Sequence, residues 1–170
     1  MAVLILYSSS PKTLDEEIKY LADVQKKAVF GGYGVSDNPD IALQEMELVK
    51  ILQGKNYGRM FLSIVISFSE CESCILDDNK LELIAFEVCK ILPNGYQVCY
   101  GIHFDNPTQK HIHFVINTVS CYDGVGKLDI DKRELIRIKR ATSYVLMYFG
   151  LSPILSLDNR DLIEEYNRLH

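Results

Sequence analysis

The sequence predicts an α+β fold in which a central antiparallel β-sheet carries a histidine motif and is flanked by helices. Three observations predict it. The runs 96–103 and 111–121 are strand-like and are joined by FDNPTQK, whose Asp105, Asn106 and Pro107 are turn formers, so they pair as an antiparallel hairpin. MFLSIVISF, residues 60–68, is apolar nearly throughout and rich in branched side chains, as an interior strand is. Helical patterns are interleaved with these strands, and a sheet built on a hairpin packs such helices on its faces. At 170 residues and 48% hydrophobic the chain fits one domain with one core.

Taken in order, Ala2 to Tyr7 reads as a short strand and Ser8 to Pro11 as its turn. Thr13 followed by Glu16 has capping-box spacing, and Asp15, Glu16 and Glu17 suit the positive end of a helix dipole. That helix carries Ile18 and Leu21 inward and presents Tyr20 near its end. Residues 25–39, with Gly31, Gly32, Gly34, Asn38 and Pro39, read as a mobile loop. Residues 41–52 return to helical spacing through Leu43, Met46, Val49 and Ile51 or Leu52, and Gly54 ends them.

After the interior strand, acidic Ser69 to Asn79 reads as a loop. Residues 80–92 are helical through Leu81, Ile84, Ala85, Val88 and Leu92, and Pro93-Asn94-Gly95 stops them. Beyond the hairpin, a turn around Asp123 to Gly126 leads into a helix from Asp131 to Phe149. It buries Leu135, Ile138, Thr142, Val145 and Phe149 and turns Arg133, Arg137 and Arg140 outward. Leu151 to Leu155 reads as a last edge strand and the segment after Leu157 as a terminal helix. The expected division is a domain over 1–157 with a helical extension of it over 158–170.

Composition narrows the function. No apolar run approaches the roughly 20 residues that span a bilayer, and MAVLILYSSS lacks the basic start of a signal peptide, which points to a cytoplasmic protein without membrane insertion. Five scattered cysteines, with one lone CxxC at Cys71 and Cys74, suit reduced thiols. A formal charge of −5 argues against binding nucleic acid by bulk charge and requires any such contact to rest on local basic groups.

Three of the four histidines fall at His103, His111 and His113. Alternation puts His111 and His113 on one face of a strand, and the hairpin brings His103 beside them. Phe114, Val115 and Ile116 place the pair on a buried strand, where imidazoles without partners are costly. Three converging imidazoles with open positions describe a catalytic divalent-metal site. Ligand preference alone admits Zn, Mn, Fe, Co or Ni, and Asp105 is either a partner orienting a histidine or a turn residue.

The surrounding motifs resemble the relaxases, the plasmid mobilisation nucleases of the HUH endonuclease superfamily. GIHFDNPTQKHIHFVINTVS, residues 101–120, is similar to the family's HxD followed by HxHhhhN. YDGVGKLDID, residues 122–131, resembles its DGkKl turn. GLSPI at 150–154, GRMFLSIVISF at 58–68 and GGYGVS are also similar, so the resemblance runs through most of the chain. Tyr20 in DEEIKYLADVQKK resembles the family's nucleophile, although LADVQKK replaces an NPxKT-like continuation and Ser63 stands where the family strand often has histidine. Tyr7 in YSSSPKT is the rival.

The resemblance implies an HUH endonuclease-like fold and an enzyme, a metal-dependent relaxase with Mg or Mn as cofactor. It implies nicking and joining of one DNA strand at a transfer origin, through a tyrosine that becomes linked to the 5′ phosphate, to initiate conjugative mobilisation. Tyrosine, with a pKa of about 10, needs help as a nucleophile, and Asp105 is the first candidate base, with Glu70 and Glu72 behind it. Implied partners are single-stranded DNA beside a duplex or hairpin, accessory relaxosome proteins and a type IV secretion coupling protein. Candidate DNA contacts are Lys26, Lys27, Tyr33, Lys55, Arg59, Lys127, Lys132, Arg133, Arg137 and Arg140. Alternative readings are a non-catalytic origin-binding module, a rolling-circle replication initiator of the same superfamily, and a metal-dependent hydrolase of small substrates.

Overall fold

A computed structural model describes residues 1–7, 12–122 and 125–154. Five strands, β1 (Val3–Tyr7), β2 (Val29–Tyr33), β3 (Phe61–Ser67), β4 (Val98–His103) and β5 (His111–Asn117), form one sheet in the order β1-β3-β5-β4-β2. Every neighbouring pair is antiparallel. Helices α1 (Leu14–Leu21), α2 (Pro39–Leu52), α3 (Glu70–Ile75), α4 (Asp78–Ile91) and α5 (Lys132–Tyr148) surround it. The expected α+β architecture is the observed one.

Strand alternation divides the core in two. One sheet face carries Leu4, Leu62, Ile64, Ile66, Ile102, Ile112, Phe114 and Ile116, covered by Leu81, Ile84 and Val88 of α4 and Ile138 and Leu146 of α5. The other face carries Phe61, Cys99 and Val115 under Leu14, Ile18 and Leu21 of α1 and Ala42 and Met46 of α2. The histidines share this second face. Two registered rows cross it, one through Val3, Ser67, His111 and His103, the next through Ile5, Val65, His113 and Gly101.

Local chemistry explains the helix starts. Thr13 Oγ1 accepts from the Glu16 amide while Glu16 accepts from the Thr13 amide, which completes the expected capping box. Asn38, Asp77 and Asp131 cap α2, α4 and α5 with side-chain oxygens that accept from first-turn amides.

Four sequence expectations are corrected. Residues 25–39 do not form a loop throughout, because Val29–Tyr33 is an edge strand. Its glycines are there for room: a Cβ on Gly31 would fall 2.7 Å from Tyr100 Cε2, and one on Gly32 would fall 2.9 Å from the Ser36 backbone. Acidic residues 70–75 form α3, started by a Ser69–Glu72 capping box. Helix α2 buries Ala42, Met46 and the whole of Lys50, while Ile51 and Leu52 face outward. Residues 151–154 do not join the sheet, whose edges are β1 and β2. The Ser8 to Pro11 turn, Asp123 and Gly124 of the later turn, Leu155 and the expected terminal helix lie outside the described residues.

Candidate active site

The hairpin of β4 and β5 sets the histidines opposite one another. His103 pairs in register with His111, and His113 follows two residues on, so all three rings meet on the α1 side. Their ligand atoms lie within 4.8 Å of one another. His103 is fully buried, and its two ring nitrogens, with Nε2 of His113, lack a hydrogen bond of good geometry. His111 Nδ1 is 2.9 Å from the Gln109 carbonyl, so an imidazole donating there keeps Nε2 as a lone pair.

Burial first, then the neighbouring His103, His111, Lys26 and Lys12, pushes the His113 imidazole down to about 3. His103 is lowered by the same burial and by His111 and Lys26, with the Leu21 backbone and Asp105 opposing. Neutral imidazoles with unpartnered buried nitrogens are what a cation needs. These residues fit a divalent metal ion.

Helix α1 brings the tyrosine. It lies across β4 and β5, and Tyr20 at its last turn sits edge-on to two of the histidines, with ring centroids 5.0 Å from His103 and 5.2 Å from His113. Two ammonium groups lie against the Tyr20 ring, Lys12 Nζ at 4.2 Å and Lys26 Nζ at 5.1 Å from its centroid. Lys26 also bonds Asp105 Oδ2 at 3.3 Å. Although partial burial works the other way, that bond and the charges of Lys26 and His111 lower the Asp105 carboxyl, which keeps it ionised.

Lys12, Tyr20, Asp105, His111 and His113 line an open cleft of about 690 Å³, with His103 and Lys26 behind its surface residues. Its floor is Tyr7, Ser63, Val65, Ser67, His111 and His113; Lys12, Glu17 and Tyr20 form one wall, and Asp105, Asn106 and Gln109 form the rim. The cleft brings the Tyr20 phenol, the His111 and His113 imidazoles and the Asp105 carboxylate onto one surface.

The sequence-predicted residues divide by position. His103, His111, His113, Tyr20, Asp105 and Lys26 come together, and exposed Lys27 follows directly on Lys26 with a left-handed backbone. Tyr33 lies on the opposite sheet face, edge-on to Phe86 at 5.8 Å. Arg59 and Lys127 sit at the far end of β3, where Arg59 binds the Leu128 carbonyl and Asp129, and Lys127 binds the Tyr57 and Arg59 carbonyls. Arg133 and Arg137 line a separate groove with Tyr96 and Asp131, and Arg137 is held by Glu134. These five therefore stand away from the cleft. Glu72 is tied to Ser69 and to the chain's amino terminus rather than to Tyr20. Tyr7, Lys12, Glu17 and Ser63 are cleft residues not singled out as site residues, apart from Tyr7 as a rival.

A family model described as "Relaxase: MobA/VirD2-like, nuclease domain" matches residues 17–151, the span that contains the second half of α1 with Tyr20, strands β2 to β5 and the histidine hairpin. The chain belongs to this relaxase family. Two solved structures share the relaxase fold. One is the MobM relaxase domain (MOBV; Mob_Pre) bound to plasmid pMV158 oriT DNA, Mn-bound at pH 6.8. It is 12% identical over 89% of each chain, with a TM-score of 0.63. The same relaxase domain, Mn-bound with oriT DNA at pH 5.5, is 13% identical over 99% of each chain, with a TM-score of 0.57. No curated protein sequence matches the chain. No helix among the described residues of this relaxase is long and apolar enough to cross a membrane.

Proposed function

We propose that this relaxase nicks and rejoins a specific DNA strand at a transfer origin, with Tyr20 as the nucleophile. The single observation that carries the reading is the edge-on contact of Tyr20 with His103 and His113, which puts a phenol beside an imidazole triad at the wall of an open cleft. Its oxygen attacks phosphorus in line, a tyrosyl–phosphate bond forms, and the bond from phosphorus to the 3′ oxygen breaks. The phenol proton passes to Asp105, ionised beside Lys26, and from there to the departing 3′ oxygen. Because the covalent link conserves the ester bond, the freed 3′ hydroxyl reverses the step and reseals the strand.

His103, His111 and His113 would hold the cation, Mg or Mn in this reading. A bound divalent ion polarises the scissile phosphate and offsets the charge of the transition state. Lys26 and Lys27 would contact phosphates of the strand in this reading. The substrate is single-stranded DNA flanked by duplex or a hairpin, and accessory relaxosome proteins and a type IV secretion coupling protein are its partners. The setting is the bacterial cytoplasm. Residues 1–157 are the nuclease domain and 158–170 its extension.

The test is incubation with Mn or Mg and single-stranded oligonucleotides from the transfer origin of the protein's own element, followed by a denaturing gel. A protein–DNA adduct is expected, lost in Tyr20→Phe and kept in Tyr7→Phe. An adduct formed equally by Tyr20→Phe overturns the nucleophile, and tight binding without any adduct leaves an origin-binding module.

A further inference from the structure

Glu17 is a charged residue on the inner face of α1, among Leu14, Ile18 and Leu21, all of which are buried and apolar. It is only 6% exposed, yet it lines the cleft together with Ser63 and Tyr7. Its Oε1 accepts from Ser63 Oγ at 3.3 Å, and its Oε2 stands 3.3 Å from Lys12 Nζ. Ser63 of β3 pairs in register with Tyr7 of β1, so the two side chains stand next to each other on the histidine face of the sheet. Tyr7 is 48% exposed. A carboxylate, a hydroxyl and an open phenol ring therefore meet on the β1 side of the cleft.

A carboxylate at this place does not suit phosphate binding. Coulomb repulsion keeps phosphate oxygens away from it, so what a DNA strand can turn toward Glu17 is an N–H donor on a base. A carboxylate offers about four lone-pair sites. Ser63 and Lys12 occupy one on each oxygen, which leaves a second on each, whatever else Lys12 touches. Two parallel acceptors match two parallel donors. Guanine alone carries adjacent donors on its Watson–Crick edge, the ring N1–H and the exocyclic N2–H. Adenine and cytosine set one amino group beside a ring acceptor, and thymine sets its single N–H between two carbonyls, arrangements that repel a carboxylate. Such an edge is open to a protein only when the base is unpaired.

We propose that Glu17 reads one unpaired guanine of the bound strand, accepting from its N1–H and N2–H, while the Tyr7 ring lies against the face of the base. Glu17 is then a specificity-determining residue of the cleft. The inference rests on the cleft being a single-stranded DNA site. It involves no metal and no covalent step, and Tyr7→Phe keeps the stacking face.

The test uses oligonucleotides from the transfer origin of the protein's own element, made in pairs with guanine or hypoxanthine at one position that is moved step by step along the strand. Hypoxanthine lacks only the 2-amino group. Binding is measured with Mn in a Tyr20→Phe background, in which no covalent link forms. At one position, loss of the amino group is expected to weaken binding about tenfold with Glu17 and less than about twofold with Glu17→Ala, within the scale of one bidentate base contact. At that position Glu17→Gln should turn the preference from guanine toward adenine, because an amide donates and accepts along one edge. Tyr7→Ala should weaken both members of the pair by about fivefold or more. Removing a negative charge strengthens binding to the whole series alike, and a fold defect weakens it alike, so neither gives a change confined to one position.

Equal hypoxanthine penalties in Glu17 and Glu17→Ala at every position, or no penalty with Glu17 at any, overturn the base contact. Undiminished binding in Tyr7→Ala overturns the stacking. A protein that binds no such oligonucleotide refutes the DNA reading and this contact together. A Glu17-dependent guanine with no adduct from the protein that keeps Tyr20 refutes the nicking reading alone.

Discussion

The backbone of Leu21 rests directly on Gly101: a Cβ added to Gly101 would fall 2.8 Å from the Leu21 Cα, with the carbonyl oxygen closer still. Gly101 lies in the same sheet row as His113 and two residues before His103, while Leu21 follows Tyr20. The absence of one methyl group thus lets α1 lie close enough to the sheet for Tyr20 to touch the histidines.

Gly101→Ala is therefore expected to lift the end of α1. Overpacking of this kind costs about 1–3 kcal/mol, measured as a lower denaturant midpoint. Adduct formation should fall further than the stability loss explains, because Tyr20 moves off the histidines. Full adduct yield in a folded Gly101→Ala protein would show that the close approach does not position the tyrosine.

Removal of a histidine tests the cation site. Titration calorimetry with Mn is expected to give one site per chain, and His113→Ala or His103→Ala should weaken it by more than about 100-fold, since lost supporting contacts alone cost 10- to 100-fold. The Tyr20→Phe protein should bind the ion as the wild type does. Unchanged affinity in both histidine variants would rule out the triad.

The lowered imidazoles fix the sign of a pH effect in the metal-free protein. Below 6.5 the unfolded chain takes up protons that half-buried His113, at about 3, and lowered, buried His103 refuse. Stability conferred above 6.5 is thus lost progressively as pH falls toward 3. Urea unfolding with chelator present should show a fall between pH 6.5 and 4.5, above the range where carboxylates dominate, and a shallower fall in His113→Gln. Parallel curves for the two proteins would contradict the neutral imidazole.

The histidine triad was legible because alternation in a strand and the antiparallel pairing of a hairpin are local rules, and His103, His111 and His113 obey both. The Thr13 and Glu16 cap was legible for the same reason. Strand β2 was not, because Gly31 and Gly32 read as breakers until Tyr100 and the Ser36 backbone are seen pressing on them. Helix α3 hid behind acidic composition, though Ser69 and Glu72 carried the capping spacing that reveals it.

Charge is read worst from sequence, since its use depends on which face and end of the sheet it reaches. Arg59, Lys127, Arg133 and Arg137 look alike in sequence to Lys26, and only tertiary packing separates them. Glu17 reads as one more acidic residue in a first turn; only tertiary packing shows it buried and accepting from Ser63 of β3. Lys12 lies before the cap, outside any periodic pattern.

A second buried charge gives an independent check on α2. Lys50 is 1% exposed, its Nζ is 2.7 Å from Asn117 Oδ1, and burial pushes its ammonium down to about 8. Between pH 8 and 10.5 the unfolded chain holds more protons at this position than the folded one, so wild-type stability should gain on Lys50→Met as pH rises through that window. A constant difference in unfolding free energy between the two proteins would contradict a depressed Lys50.

The most direct measurement is the site of covalent attachment. After reaction with Mn and a transfer-origin oligonucleotide, nuclease trimming and tryptic digestion should leave the nucleotide mass on the peptide Tyr20–Lys26, whose only tyrosine is Tyr20. The same mass on the peptide Met1–Lys12, which carries Tyr7, or cleaved DNA with no modified peptide at all, would contradict Tyr20 as the nucleophile of the histidine site.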